Sequence, residues 1–289
     1  MSTTVKIAAV QMVSTADVDE NMAAAASLIG DAVGQGARIV VLPENWPIMG
    51  RRDEDKVAIA KTRFEAMQTF MSDSARGHGI MLIGGTVPVP CAEDPSRVFN
   101  TSMAFDAAGA LLARYDKVHL FAFGEEYNEA KTVAFGRDIV SVTSSIGPIL
   151  LSVCYDVRFP ELYRAVPEPP TLISVPAAFT CETGAAHWEL LLRCRAIENQ
   201  CYVIGAAQAG VHPSGRRSYG HSMIVDPWGR VLARLSGTDA GVCTADVDLS
   251  LMGAVRARLP ALRDRRIDLA SIAIKPPNEE RVSHLVRWS

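Results

Sequence analysis

The sequence predicts an α/β protein. Short apolar runs alternate with longer stretches of helical periodicity from the amino terminus onward, and three reactive side chains, Glu44, Lys117 and Cys154, lie beside such runs. Residues 5–12 read as a strand. Residues 19–34 read as an amphipathic helix with Met22, Ala25, Ile29, Ala32 and Val33 on one face, stopped by Gly34 and Gly36. A strand over 38–42, a helix over 55–78 and a strand over 80–87 continue the alternation, and 91–97, next to Pro90 and containing Pro95, form a loop. A second series begins with a strand at 149–153 and continues through 172–175 and a helix over 186–200. Further strands follow at 202–207, 222–225, 231–235 and 242–246. No repeat is visible and no Gly/Ser-rich or Pro-rich linker interrupts the chain, so a single domain over 1–270 is expected, followed by a tail over 271–289.

Cys154 draws attention first. A run such as Ile149 to Val153, not alternating with polar residues, fits a strand covered on both faces. The chain then turns at Tyr155 and Asp156, which puts the sulfur at the carboxyl edge of a sheet, where ligands of open α/β folds collect. Cysteine alone decides little, because free cysteine is commonly buried as a small apolar filler and reactivity needs an activating partner. Glu44 follows the apolar residues Ile39 to Leu42 through Pro43, and Lys117 sits between a short strand and another apolar stretch. Singly, Glu44 reads as a turn carboxylate and Lys117 as an edge-strand charge. Together with Cys154 they form a set that chance does not readily produce.

Composition narrows the function. Of 289 residues 48% are apolar, enough for a large core. Lys+Arg 29 against Asp+Glu 32 leaves a net charge of −3 with no long basic run, which argues against nucleic acid as a partner. No apolar stretch reaches the roughly 18 residues of a membrane helix. The amino terminus lacks the pattern of a secretory signal. Six scattered cysteines without a C-x-x-C pair read as reduced thiols of a cytoplasmic protein, with no zinc site.

VQM near the start, VLPEN around Glu44, RYDKVHLF around Lys117 and VCYDVRFPELYR around Cys154 resemble the nitrilase superfamily of carbon–nitrogen hydrolases. The likeness continues through VPAAFT, TGAAHWELLLRCRAIENQCYVIGAAQ and RRSYGHSMIVDPWG, from about residue 5 to about residue 268. It is greatest to the Nit-type amidases, in particular the branch that hydrolyses deaminated glutathione. The resemblance implies a four-layer α-β-β-α sandwich, which periodicity alone does not give. It also implies hydrolysis of a small carboxylated amide, without metal or organic cofactor, by a homodimer or higher homo-oligomer.

The chemistry follows from the residue types. A thiol with the usual pKa of about 8.5 is mostly protonated near neutral pH, so Cys154 needs a base. A carboxylate taken into an apolar pocket becomes a stronger proton acceptor, which makes Glu44 the candidate. Attack on an amide carbonyl creates an oxyanion that Lys117 can hold, with the Tyr155 N–H as the expected second donor. The resemblance places a second glutamate after the lysine segment. By register this is Glu129, with Glu125 and Glu126 as competitors, and Phe135 stands before Gly136 where the family has proline.

Phe179 and Thr180 resemble pocket-wall residues. Arg216 and Arg217, in HPSGRRSYG, are either recruiters of a substrate carboxylate or solvated loop cations. Arg158 and Glu161 read as a structural ion pair, and the helix with Trp188, Glu189, Leu191 and Leu192 as part of a dimer face. His119, His187, His212 and His221 fall in matched segments, and the family's mechanism gives none of them a proton-transfer role. The alternatives are an ω-amidase or an N-carbamoyl amino acid hydrolase with the same triad, nitrile hydrolysis, a papain-like Cys–His pair, and a silent interaction module on the same scaffold. Nitrile hydrolysis is disfavoured because the Cys-Trp-Glu signature is missing around Cys154.

Overall fold

The strands and helices of the computed structural model, which describes residues 4–125 and 127–266, build two main sheets with helices outside them. In the first sheet Thr4–Gln11, Ile39–Val41 and Met81–Ile83 run parallel, with Ile7 opposite Ile39 and Ile39 opposite Met81. Antiparallel Gly241–Asp248 and Val98–Phe105 flank them. In the second sheet Gly147–Leu151, Leu172–Ala177 and Tyr202–Ala207 are parallel, with Ile149 opposite Leu172 and Leu172 opposite Tyr202. Antiparallel strands close its edges.

Alternation along the central strands explains the layering. In Thr4–Gln11, Ile7 and Ala9 join the core between the sheets, whereas Ala8 and Val10 join the core beneath the helices. Both sets are buried, so the strand reads as a continuous apolar run. Helices Val18–Gly34 and Asp55–His78 cover the outer face of the first sheet through Ala25, Ile29, Met67 and Met71. Helix Cys181–Asn199 covers the second through Trp188, Leu192 and Ala196. The architecture is the four-layer α-β-β-α sandwich. Met12 and Gln208 form a single β-bridge where the two sheets meet.

Local chemistry sets the helix ends. Asp17 caps the first helix by accepting the N–H groups of Asp19 and Glu20, and the second ends at Gly79 in the left-handed conformation (φ 62°). The strand expected over 80–87 is in fact two, Met81–Ile83 and Val87–Pro90. They part at Gly85, where φ is 55° and a Cβ would lie 2.1 Å from the Pro43 carbonyl oxygen. Only glycine lets the backbone come this close to the loop that carries Glu44. The segment after Cys154 ends early, as its three prolines require: helix Pro160–Arg164 stops before Pro167. A helix at Leu249–Arg258 has no counterpart in the sequence reading. The tail over 271–289 lies outside the described residues.

Candidate active site

Each of the key side chains sits just past the carboxyl end of a strand. Glu44 is three residues beyond Ile39–Val41, Cys154 three beyond Gly147–Leu151, and Lys117 directly follows Leu111–Asp116. The two sheets face each other, so these ends converge. Glu44, Lys117 and Cys154 are 2%, 1% and 6% exposed.

The Lys117 Nζ lies 2.8 Å from Glu44 Oε1 and 2.8 Å from Glu129 Oε2. Glu129 opens a short 3₁₀ turn, Glu129–Lys131, and its Oε2 also accepts the Phe121 N–H at 2.7 Å. Of the competing carboxylates, Glu125 lies exposed in the preceding turn and Glu126 lies outside the described residues. Phe135 is 55% exposed, so replacing the family's proline there disturbs no packing. The following glycine is the demanding position, since a Cβ on Gly136 would lie 1.9 Å from the Asp116 carbonyl oxygen, beside Lys117.

Burial disfavours the Lys117 ammonium, but Glu129 and Glu44 outweigh it and hold its pKa above the ordinary lysine value. Burial likewise opposes ionisation of Glu129, and Lys117 prevails, keeping that carboxyl low. Cys154 behaves oppositely. Burial, reinforced by the Glu44 carboxylate, pushes its thiol well above the usual range, against the pull of Lys117 and a hydrogen bond from the Ala178 backbone. Burial thus favours the protonated thiol at rest, with the Glu44 carboxylate near enough for its charge to act on the sulfur.

Two supporting residues escaped the sequence reading. Asn100 Nδ2 donates to Glu44 Oε1 at 2.9 Å and reaches Glu129 Oε1 at 3.5 Å, so one amide spans both carboxylates. Its signal lies in the strand Val98–Phe105, where three consecutive polar residues, Asn100, Thr101 and Ser102, break an otherwise apolar run and are all buried. The second is Asp156, read only as a turn residue. It is fully buried and accepts from Tyr115 Oη (2.6 Å), the His119 N–H (3.0 Å) and the Val153 N–H (2.9 Å), with His119 Nδ1 at 2.8 Å. Tyr115 and His119 flank Lys117, and Val153 precedes Cys154. Asp156 thus ties the lysine segment to the sulfur's turn.

That turn is strained, for Cys154 has φ 49°, a region that costs a non-glycine residue about 1–2 kcal/mol. Asp156→Asn would turn an amide N–H towards donors that need an acceptor. We expect it to lower stability by about 1–3 kcal/mol in urea denaturation and to lower kcat. Unchanged stability and kcat would remove Asp156 from this role.

The remaining candidates divide. Tyr155, Phe179 and Thr180 line a pocket of about 10 Å³ against Cys154, together with Phe121, Arg158, Ala178 and Thr183. Arg216 and Arg217 instead line a larger cavity of about 610 Å³, and Thr180 belongs to both. Arg158 does not pair with Glu161: Phe159 is extended (φ −109°, ψ 92°), so no continuous helix brings them together. Its guanidinium lies over the rings of Tyr155 and Phe179 at 5.7 and 5.3 Å, with Nη1 3.3 Å from His187 Nδ1. The four histidines have partners other than the thiol: His119 meets Asp156, His187 meets Arg158, His212 meets Ser14 and Ser218, and His221 meets Tyr219. Trp188 and Leu192 belong to the core, and Leu190 and Ile197 are the outward apolar positions of their helix. No disulfide joins the six cysteines. Among the described residues no helix is long and apolar enough to cross a membrane, and no cluster of His, Cys, Asp and Glu is placed to hold a metal ion.

The sequence profile of the carbon-nitrogen hydrolase family matches residues 6–257. Over 265 residues the chain is 41% identical to a deaminated glutathione amidase of Synechocystis, a match covering 89% of this chain and 97% of that one. It is 35% identical over 282 residues to human omega-amidase NIT2, covering 95% and 100% of the two chains. Among solved structures, Nit3 of Saccharomyces cerevisiae, a member of branch 10 of the nitrilase superfamily, superposes with a TM-score of 0.82 at 29% identity. That match covers 91% of this chain and 97% of the yeast one.

Proposed function

Because the chain belongs to the carbon-nitrogen hydrolase family and is an amidase, we propose that it opens a small carboxylated amide through a thioester on Cys154, with deaminated glutathione as the leading substrate. The observation that carries this reading is the enclosed cluster in which Lys117 contacts Glu44 and Glu129 at 2.8 Å each, with the buried Cys154 close enough for both Glu44 and Lys117 to act on its thiol. The identity to a deaminated glutathione amidase supports the substrate.

In the first half-reaction Glu44 takes the thiol proton as the sulfur bonds to the amide carbon. The carbonyl π pair moves to oxygen. An ammonium has three hydrogens, and two of those on Lys117 are committed to Glu44 and Glu129, which leaves one for the oxyanion. Glu44 then returns its proton to the departing nitrogen, the C–N bond breaks and the thioester remains. In the second half-reaction Glu44 draws a proton from water, the water oxygen attacks the thioester, and the acid leaves as the thiol is restored. Glu129 and Asn100 hold Lys117 and Glu44 in place through both halves.

Glu44→Gln keeps the shape but removes the proton acceptor, and we expect turnover to fall by about 10² to 10⁴ in steady-state assays. Turnover equal to that of the parent protein would exclude Glu44 as the base. The substrate is tested by measuring amine or ammonia release from deaminated glutathione, α-ketoglutaramate and N-carbamoyl amino acids side by side. Preference for either of the last two moves the protein to the ω-amidase or carbamoylase reading, which the 35% identity to an omega-amidase keeps in contention. No turnover of any amide, with no acyl adduct on Cys154 by mass spectrometry, would favour the silent module.

A cytoplasmic setting fits six cysteines without a disulfide. A homodimer fits the exposure of Leu190 (66%) and Ile197 (50%) on one helix.

A further inference from the structure

We propose that the 610 Å³ cavity outside the Cys154 pocket is a subsite for an anionic extension of the substrate, so that the preferred substrate is a long amide bearing two carboxylates. This rests on the amidase reading and adds to it a place and a charge. The pocket at the sulfur, about 10 Å³, holds little more than the reacting group, since a single water needs about that much space. The rest of a substrate must pass Thr180, the residue shared by both spaces, and enter the outer cavity.

Arginine and lysine dominate that cavity. Arg51, Arg52 and Lys56 come from the loop and helix start after Glu44, and Arg216 and Arg217 from the hairpin Ala209–Val211/Arg217–Tyr219. The lining carboxylates are Asp53 and Glu182. Arg52 is matched by Asp55 at 3.3 Å and Lys56 lies 3.9 Å from Asp53. Among the described residues no carboxylate pairs with Arg51, Arg216 or Arg217. Three guanidinium groups drawn from two segments distant in sequence, none paired with a carboxylate among the described residues, therefore line one concave space, and a concave site focuses such a field on an incoming anion.

Both segments are fixed before any ligand arrives. Asp55 accepts the backbone N–H groups of Arg51 (2.9 Å) and Arg52 (3.0 Å). The hairpin is held by buried His212, whose ring contacts the Ser14 carbonyl at 3.0 Å and Ser218 Oγ at 2.8 Å, and by the Tyr219 N–H on the Phe179 carbonyl at 2.9 Å. Arg216 donates to the carbonyl of Ala178, which lines the Cys154 pocket, and lies over the Tyr127 ring at 5.4 Å. Its buried Nε has no partner among the described residues. The Arg216 fork, held in this way, matches carboxylate geometry and loses little freedom on binding, and Arg51 and Arg217 extend from anchored backbone.

The test compares deaminated glutathione, its ester at the glycine carboxylate, and the short α-ketoglutaramate in the parent protein and in Arg51→Gln, Arg217→Gln and the double variant. For deaminated glutathione each single change should raise KM by about tenfold, the loss of one charge-assisted contact, with a smaller fall in kcat. The rise for α-ketoglutaramate should be much smaller. Esterification should raise KM in the parent protein about as far as the variants do, and added salt should weaken the parent more than the double variant. Equal KM values for acid and ester, or equal losses on the short and long substrates, would overturn the subsite. Calorimetry of deaminated glutathione on Cys154→Ala separates the two failures. Binding that weakens with Arg51→Gln supports the subsite even where no amide turns over, and turnover whose KM ignores both Arg51→Gln and Arg217→Gln leaves an amidase without it.

Discussion

Cys154→Ala is expected to lower hydrolysis by a factor on the order of 10⁶, the scale on which removal of a catalytic nucleophile acts. The expectation is this large because no other group can take over the attack. The remaining buried cysteines, Cys91, Cys201 and Cys243, line no part of the Cys154 pocket, and Thr180 and Thr183 hydrogen-bond each other at 2.9 Å. Burial holds the Cys154 thiol protonated, so sulfur reactivity is expected to require Glu44. Iodoacetamide should therefore label Cys154 more slowly in Glu44→Gln than in the parent protein at the same pH. The measurements are initial rates with deaminated glutathione and intact mass after substrate addition. Retained turnover in folded Cys154→Ala would end the thioester mechanism.

Lys117→Met is expected to cost about 3–5 kcal/mol of stability, besides abolishing turnover, because it leaves buried charge without a partner. Glu44 is 2% and the Glu129 side chain 16% exposed, and both face the Lys117 ammonium. With the cation in place the Glu129 carboxyl lies below its ordinary value. That contribution to stability is present above the unfolded carboxylate pKa of about 4.3 and is lost only on acidification. Removing the cation reverses the sign. Buried carboxylates without a counter-ion bind protons more tightly than in the unfolded chain, so the variant should be most stable in mild acid and lose stability as pH rises towards 8. Urea titrations at pH 5.5 and 8 test this: the parent should change little, the variant should weaken, and a variant with no pH dependence would show that Lys117 does not compensate these carboxylates.

Much of this arrangement was legible because Glu44, Lys117 and Cys154 each follow a strand at a short interval, and strands buried on both faces leave unbroken apolar runs. The helix over Asp55–His78 declares its end through Gly79. The face-to-face sheets were not legible from periodicity, since residues such as Ala8 and Ala9 point into different cores yet look alike in sequence. The helix Leu249–Arg258 buries only Met252 and Val255, too few positions to produce a readable stripe. Asn100 and Asp156 were hidden for another reason: their role depends on contacts 56 and 41 residues away in sequence, with Glu44 and Tyr115. Sequence spacing suggests an Arg158–Glu161 pair, but the backbone extends at Phe159 between them and carries the two side chains apart.

The lysine held between two carboxylates has a consequence for the chemical step. At rest the ionised groups, Glu44, Glu129 and Lys117, sum to one negative charge, and when the sulfur has attacked and Glu44 is neutral, the new alkoxide restores the same sum. Negative charge migrates across a few ångströms inside a cavity of constant total charge, and none has to be created in a medium that solvates it poorly. Water and mobile ions have little left to rearrange at the summit of the barrier.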